Sequence, residues 1–239
     1  MLIFSMEIAQ SLQGVYMQVR DAAIKSGRNP EDIQVVVVSK TVELERIKEA
    51  VHAGARIFGE NRVQEARDKI EAFRKQNTTD VRWHMIGHVQ RNKAKLAVML
   101  FDLIHSVDTP ELLKDINKEA SKLGKVQNVL VQVKLSRDEE TKSGLDPEKL
   151  PALLNASKAL QSVNILGLMT MPPFFNNPEE CRPYFRKLRN LAMDDMARQG
   201  FTLNVLSMGM SNDFGVAIEE GATLVRVGTA IFGDRTRCI

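Results

Sequence analysis

A lysine follows an uninterrupted run of four valines in this sequence. Val35–Val38 leads directly into Ser39, Lys40 and Thr41. Such a β-branched run predicts a strand that is buried on both faces, as in a parallel sheet covered by helices. Desolvation at the end of that strand would lower the pKa of Lys40, and a neutral amine can attack an aldehyde to form a Schiff base. A lysine that extends its ammonium group into water is the simpler interpretation of this stretch alone.

Small and hydroxylated residues late in the sequence could bind an anion. Gly228 allows backbone N–H groups to approach phosphate oxygens, and Thr229 adds a hydroxyl group. Ser207 and Ser211 flank Gly209 in an earlier segment and could donate further hydrogen bonds. Glycine and serine are also common in ordinary turns. These two segments could therefore form either an anion site or two turns without a ligand.

Three other polar residues have both a functional and a structural interpretation. Arg226 shares a strand face with Leu224 and could contact an anionic group or a heteroaromatic nitrogen, or form a structural ion pair. His84 could be a catalytic base or a hydrogen-bonded core histidine. Asn61 could line a site or cap the helix that it begins. Four methionines near these segments are interpreted as side chains that fill the core: Met169, Met171, Met208 and Met210.

Strands and helices alternate along the whole sequence, after one extra helix at about residues 6–27. This alternation predicts an α/β fold: one (β/α)₈ TIM-type barrel domain over residues 1–239, with an open doubly wound sheet as the alternative. The predicted strands lie at residues 35–38, 56–59, 81–86, 103–106, 129–135, 164–169, 203–207 and 224–227.

A barrel would bring the candidate residues together, because its active sites lie at the C-terminal ends of the strands. Val36, Val38 and Lys40 share one strand face, so Lys40 is predicted to point into the barrel; His84 and Ile86 likewise share a face. The loops after strands seven and eight are common phosphate sites in barrels. An aldehyde-reactive lysine, phosphate donors and an arginine form the set that pyridoxal 5′-phosphate (PLP) requires.

Composition excludes several other classes of protein. The chain has 239 residues with a net charge of +3 and no block of basic residues, which argues against a nucleic-acid partner. No apolar run approaches the roughly 18 residues that span a membrane, and the start of the sequence is unlike a secretory signal. Two cysteines, Cys181 and Cys238, form neither a disulfide framework nor a metal site. These features predict a cytoplasmic protein without a bound metal.

Several motifs in order resemble the pyridoxal phosphate homeostasis protein family. The match runs from about residue 35 to residue 235, with minor departures at Arg62, Val89 and Arg91. The motifs are Val38–Thr41, Phe58–Glu65, Trp83–Lys93, Lys142–Gly144, Gly167–Met169, Leu206–Ser211 and Val225–Gly233.

The resemblance implies a fold type III barrel similar to the N-terminal domain of alanine racemase. It also implies that the chain binds PLP as a Schiff base on Lys40 and takes part in intracellular PLP homeostasis without strong catalytic activity. Apo forms of PLP-dependent enzymes are the implied recipients. The other implied cofactor-binding residues are Asn61, His84, Ser207, Met210, Ser211, Arg226, Gly228 and Thr229.

Two alternatives remain open at this point. One is a slow PLP-dependent amino-acid racemase, with Lys40 as one base and His84 as another. Alanine racemases take the second base, a tyrosine, from an additional β-domain of the partner subunit; we expect no such domain after strand eight, and Tyr16 and Tyr184 lie on predicted helices. Without that domain a monomer is expected. The other alternative is a barrel for a different phosphorylated metabolite, in which Lys40 only contacts phosphate.

Overall fold

The eight parallel strands of the protein form a closed barrel, as the alternation predicted. A computed structural model describes residues 2–76, 80–136 and 143–233, with side chains described from residue 7 onward. Each strand pairs with the next one along the chain, and β8 returns to pair with β1. The strands are β1 (Gln34–Val38), β2 (Ile57–Glu60), β3 (Arg82–Met85), β4 (Leu103–Val107), β5 (Gln127–Gln132), β6 (Val163–Met169), β7 (Val205–Met210) and β8 (Leu224–Val227).

Helices cover the outside of the barrel. The apolar face of α1, which includes Ile8, Leu12, Val15 and Val19, is buried, and α1 packs against α2, α8 and α9. No helix in the described ranges is both long enough and apolar enough to cross a membrane. The helices are α1 (Leu2–Lys25), α2 (Leu44–His52), α3 (Val63–Gln76), α4 (Ala94–Leu100), α5 (Pro110–Lys122), α6 (Leu150–Ser157), α7 (Arg182–Asn190), α8 (Phe214–Glu219) and α9 (Thr229–Phe232).

The apolar side chains form two separate clusters because successive strand residues face opposite sides of the barrel wall. Val36, Val38 and Ile86 belong to the cluster inside the barrel. Trp83 and Met85 belong to the larger cluster between the strands and the helices. The predicted facing of β1 and β3 is therefore confirmed.

The boundaries of some predicted elements are wrong by a few residues. β7 continues to Met210 instead of ending at Ser207, and β5 runs from Gln127 to Gln132 instead of ending at Leu135. The predicted helix over residues 178–199 is α7 with a short turn before it, followed by a wider helical turn at residues 191–196. The extension of β7 matters because its last residue, Met210, reaches the open end of the barrel.

Candidate functional site at the barrel mouth

A cavity of about 490 Å³ opens at the C-terminal ends of the strands, within the size range of small-molecule sites. We call it the mouth cavity. Lys40 follows β1, and the other lining residues come from the ends of β1, β2, β3, β6, β7 and β8 and the segments after them. Of the residues predicted from the sequence, the mouth cavity brings together Lys40, Asn61, Met210, Ser211, Arg226, Gly228 and Thr229.

The backbone beside Lys40 is fixed by a buried ion pair. Lys69 Nζ donates at 2.7 Å both to the carbonyl oxygen of Ser39 and to Glu60 Oε1, which also accepts from Ser39 Oγ at 2.7 Å. Glu60 is fully buried. Thr41 has a positive φ of 59°, which a β-branched residue adopts only under strain that its surroundings must offset. The backbone on both sides of the half-buried Lys40 is therefore held in a fixed conformation.

Hydroxyl and backbone N–H groups cluster at the β7 and β8 side of the cavity. The N–H of Gly228 donates to Ser211 Oγ at 3.3 Å, so the two segments meet. Thr229 begins α9 beside them. Asp213 Oδ1 accepts from the N–H of Met210 at 2.6 Å and thereby fixes the turn that carries Ser211.

Gly209 makes the close approach of this turn to α8 possible. Its φ is 91°, and a Cβ atom there would lie 2.6 Å from the Cβ of Ala217. A second glycine, Gly87, supports the opposite side of the cavity, because its Cβ would lie 2.2 Å from the carbonyl oxygen of Asn61. Both glycines allow segments that line the cavity to pack closely.

Arg226 lies at the floor of the mouth cavity and is only 3% exposed. Its Nη1 donates to Ser207 Oγ at 2.6 Å, and its Nη2 donates to the carbonyl oxygen of Thr170 at 3.0 Å. Burial lowers the pKa of Arg226 to about 10, which leaves the guanidinium charged at neutral pH. The site therefore contains a fixed positive charge directly below its opening.

The structure places two predicted site residues elsewhere. Ser207 and His84 do not line the mouth cavity; Ser207 is fully buried in the barrel interior, where it contacts Arg226. His84 lines a separate cavity at the N-terminal ends of the strands, which we call the opposite cavity. Burial, with a smaller contribution from Arg82, lowers the pKa of His84 to about 3. Their predicted role in cofactor binding stays a prediction.

Sequence reasoning missed several residues of the site. His105 lies between His84 and Ser207 in the barrel interior, and the alternation of β4, with Leu103 inside, could have identified it. The segment after β6 adds an apolar edge to the mouth cavity through Met171, Pro173, Phe174 and Phe175. Phe174 is 77% exposed. Met171 and Met210 line the cavity and are not core filling, whereas Met169 and Met208 are fully buried.

Lys142 and Cys238 lie outside the described residues. The described ranges contain no group of three or more histidine, cysteine or acidic side chains arranged to bind a metal ion.

Known proteins share this barrel along nearly its whole length. The family model for the N-terminal domain of alanine racemase matches residues 21–236. A pyridoxal phosphate homeostasis protein from Aquifex aeolicus is 44% identical over 230 residues, which cover 96% of this chain and 99% of the relative. Its counterpart from Escherichia coli K12 is 38% identical, covering 96% and 97% of the two chains.

The chain belongs to the pyridoxal phosphate homeostasis protein family.

Solved structures agree with this family membership. PipY from Synechococcus elongatus PCC7942, solved with PLP bound, is 38% identical with a TM-score of 0.82, and the match covers 95% of this chain and all of PipY. The alanine racemase of Clostridium difficile 630 is 18% identical with a TM-score of 0.70, covering 97% of this chain and 58% of the racemase. The racemase therefore shares the barrel fold with the homeostasis proteins.

Proposed function

We propose that this chain binds PLP in the mouth cavity, with Lys40 as the point of covalent attachment. The observation that carries the proposal is the convergence of Lys40, Arg226 and the hydroxyl groups of Ser211 and Thr229 on one cavity of about 490 Å³. PipY, a close structural relative, was solved with PLP bound.

The donor set fits the chemistry of PLP. The phosphate group requires hydrogen-bond donors, which Ser211, Thr229 and the backbone beside Gly228 supply. The pyridine ring requires a polar partner, and the buried guanidinium of Arg226 is suited to that contact because it can only donate. The bound cofactor supplies an aldehyde, with which the Lys40 amine forms a Schiff base by loss of one water molecule.

The proposed role is reversible storage and delivery of PLP in the cell, without strong catalytic activity. The relatives are named as homeostasis proteins. Neutral His84, the second base of the racemase alternative, lies away from the mouth cavity at the opposite cavity. Recipient apo-enzymes, a monomeric state and a cytoplasmic location complete the proposal as predictions from the sequence.

The first experiment tests covalent binding. Protein mixed with PLP should develop an absorption band at longer wavelength than the band of free PLP, and borohydride reduction should fix a pyridoxyl group on the peptide that contains Lys40, as measured by mass spectrometry. Lys40→Ala should show neither signal, whereas Lys118→Ala, which changes an exposed lysine of α5, should show both. Wild-type protein that leaves the spectrum of added PLP unchanged and is colourless after unbound PLP is removed would refute the proposal in favour of another phosphorylated metabolite.

A second experiment separates a carrier from an enzyme. The PLP-loaded protein is incubated with amino acids in D₂O, and exchange of the α-hydrogen is followed by NMR. We expect no exchange at catalytic rates. Turnover that Lys40→Ala abolishes would establish the racemase alternative instead.

A further inference from the structure

A chain of polar side chains crosses the barrel interior from the mouth cavity to the opposite cavity. Arg226 Nη1 contacts Ser207 Oγ at 2.6 Å, and Ser207 Oγ contacts His105 Nδ1 at 2.9 Å. His105 Nε2 contacts His84 Nδ1 at 3.1 Å. Each of these four side chains is at most 3% exposed, and the interior around them is otherwise mainly aliphatic.

The chemistry of the first member fixes the direction of the chain. Arginine has no acceptor, so Arg226 donates and Ser207 Oγ accepts. Ser207 Oγ could also accept a second hydrogen bond, but among its described partners the Nδ1 of His105 is the one acceptor for its hydroxyl proton, so Ser207 donates to an unprotonated Nδ1. His105 therefore carries its proton on Nε2 and donates it to the Nδ1 of His84. In every hydrogen bond of the chain the donor therefore lies on the side of the mouth cavity and the acceptor on the side of the opposite cavity.

This arrangement requires both histidines to be neutral. A protonated His105 would donate toward Ser207 Oγ, leave the hydroxyl proton without its acceptor, and add a second buried positive charge near Arg226. Burial, together with the neighbouring His84 and Arg226, lowers the pKa of His105 well below its ordinary value, which agrees with the neutral form.

We propose that Ser207 and His105 are positioning residues for Arg226: neutral His105 orients the Ser207 hydroxyl, and its oxygen fixes the guanidinium at the cavity floor before any ligand binds. A guanidinium that is already oriented loses little further freedom on binding, so the hydrogen-bond chain increases affinity for the ligand. The proposal rests on the proposed function only in taking PLP as that ligand. Ser207 thereby acts through Arg226 and not as a direct phosphate donor.

The direction of the chain is tested without cofactor. In protein labelled with ¹⁵N-histidine, two-dimensional NMR reports which ring nitrogen carries the proton. We expect His105 to be protonated on Nε2 only, and we expect Ser207→Ala to alter the His105 signals. A His105 ring protonated on Nδ1 would overturn the proposal, whatever the protein binds.

The positioning role is tested by titrating PLP into each variant and following its absorption. Ser207→Ala and His105→Phe each remove an acceptor in the chain, so each should weaken PLP binding about tenfold, the loss expected when one hydrogen bond that orients Arg226 is broken. His105→Asn keeps an acceptor oxygen near the position of Nδ1 and should recover most of that affinity. Lys40 should still become pyridoxylated in all three variants.

The outcomes distinguish the two proposals. Wild-type protein that fails to bind PLP refutes the proposed function, while the NMR experiment still decides the direction of the chain. Wild-type affinity in Ser207→Ala and His105→Phe would overturn the positioning role. Equal losses in His105→Phe and His105→Asn would also overturn it, since they would indicate only general damage to the barrel interior.

Discussion

Mild acid should destabilise this protein through His84. In the folded state burial holds the pKa of His84 at about 3, whereas the ordinary value for an exposed histidine is 6.5. Between these values the unfolded chain binds a proton that the folded chain does not bind. The free energy of unfolding is therefore not reduced by His84 above about pH 6.5, and it decreases progressively as the pH falls toward 3.

The loss of stability in acid can be calculated from the pH range between the two pKa values of His84, about 3 in the folded chain and 6.5 in the unfolded chain. One proton taken up on unfolding changes the free energy of unfolding by about 1.4 kcal/mol per pH unit. From pH 6.5 to pH 5 the loss from His84 alone is about 2 kcal/mol. Burial also lowers the pKa of His105, so protonation of His105 in the unfolded chain should add to this loss of stability in acid.

Urea unfolding at a series of pH values, followed by circular dichroism, measures this dependence. His84→Asn removes one titrating group, so its free energy of unfolding should fall less steeply with acid, by about 1.4 kcal/mol per pH unit between pH 4 and pH 6. Above pH 7.5 the curves of the variant and the wild type should run parallel, because histidine is then neutral in both states. Equal slopes below pH 6 would refute a neutral, buried His84.

Two further predictions concern the supports of the mouth cavity. Gly87→Ala should destabilise the fold by about 3 kcal/mol and weaken PLP binding, because its Cβ would collide with the backbone of Asn61; Gly215→Ala, in open space on α8, should stabilise the fold by up to about 1 kcal/mol. Lys69→Met should cost about 3–5 kcal/mol in chemical denaturation by leaving the buried Glu60 carboxylate unpaired, and adding Glu60→Gln should recover part of that loss.

The sequence was sufficient to predict the barrel and most of the mouth cavity. Strand alternation places Lys40 above Val36 and Val38, and it places Arg226 on the same face as Leu224, as the structure confirms. Such predictions succeed because side-chain direction in a strand depends only on local geometry, and because barrel topology collects the strand ends at one opening.

The features of the site that could not be predicted from the sequence depend on contacts between segments that are distant along the chain. The pair of Lys69 and Glu60 joins α3 to β2 beneath Ser39, and no periodicity in the sequence indicates that contact. Ser207 and Ser211 look equally suited to phosphate binding in sequence, but the extension of β7 places one in the interior and the other at the mouth. Neighbouring strands, and not local propensity, decide where β7 ends.

The pairing of β8 with β1 has a consequence for biosynthesis. Lys40 follows β1, while Arg226 lies on β8, directly opposite Val36 of β1 in the closed sheet. A ribosome synthesises these two parts of the mouth cavity at opposite ends of the barrel sequence, so a nascent chain has Lys40 long before it has the residues that surround it. Pairing of such distant strands is a slow, late step in folding. Retention of PLP by the growing polypeptide would therefore report that the last strand has left the ribosome and closed the barrel.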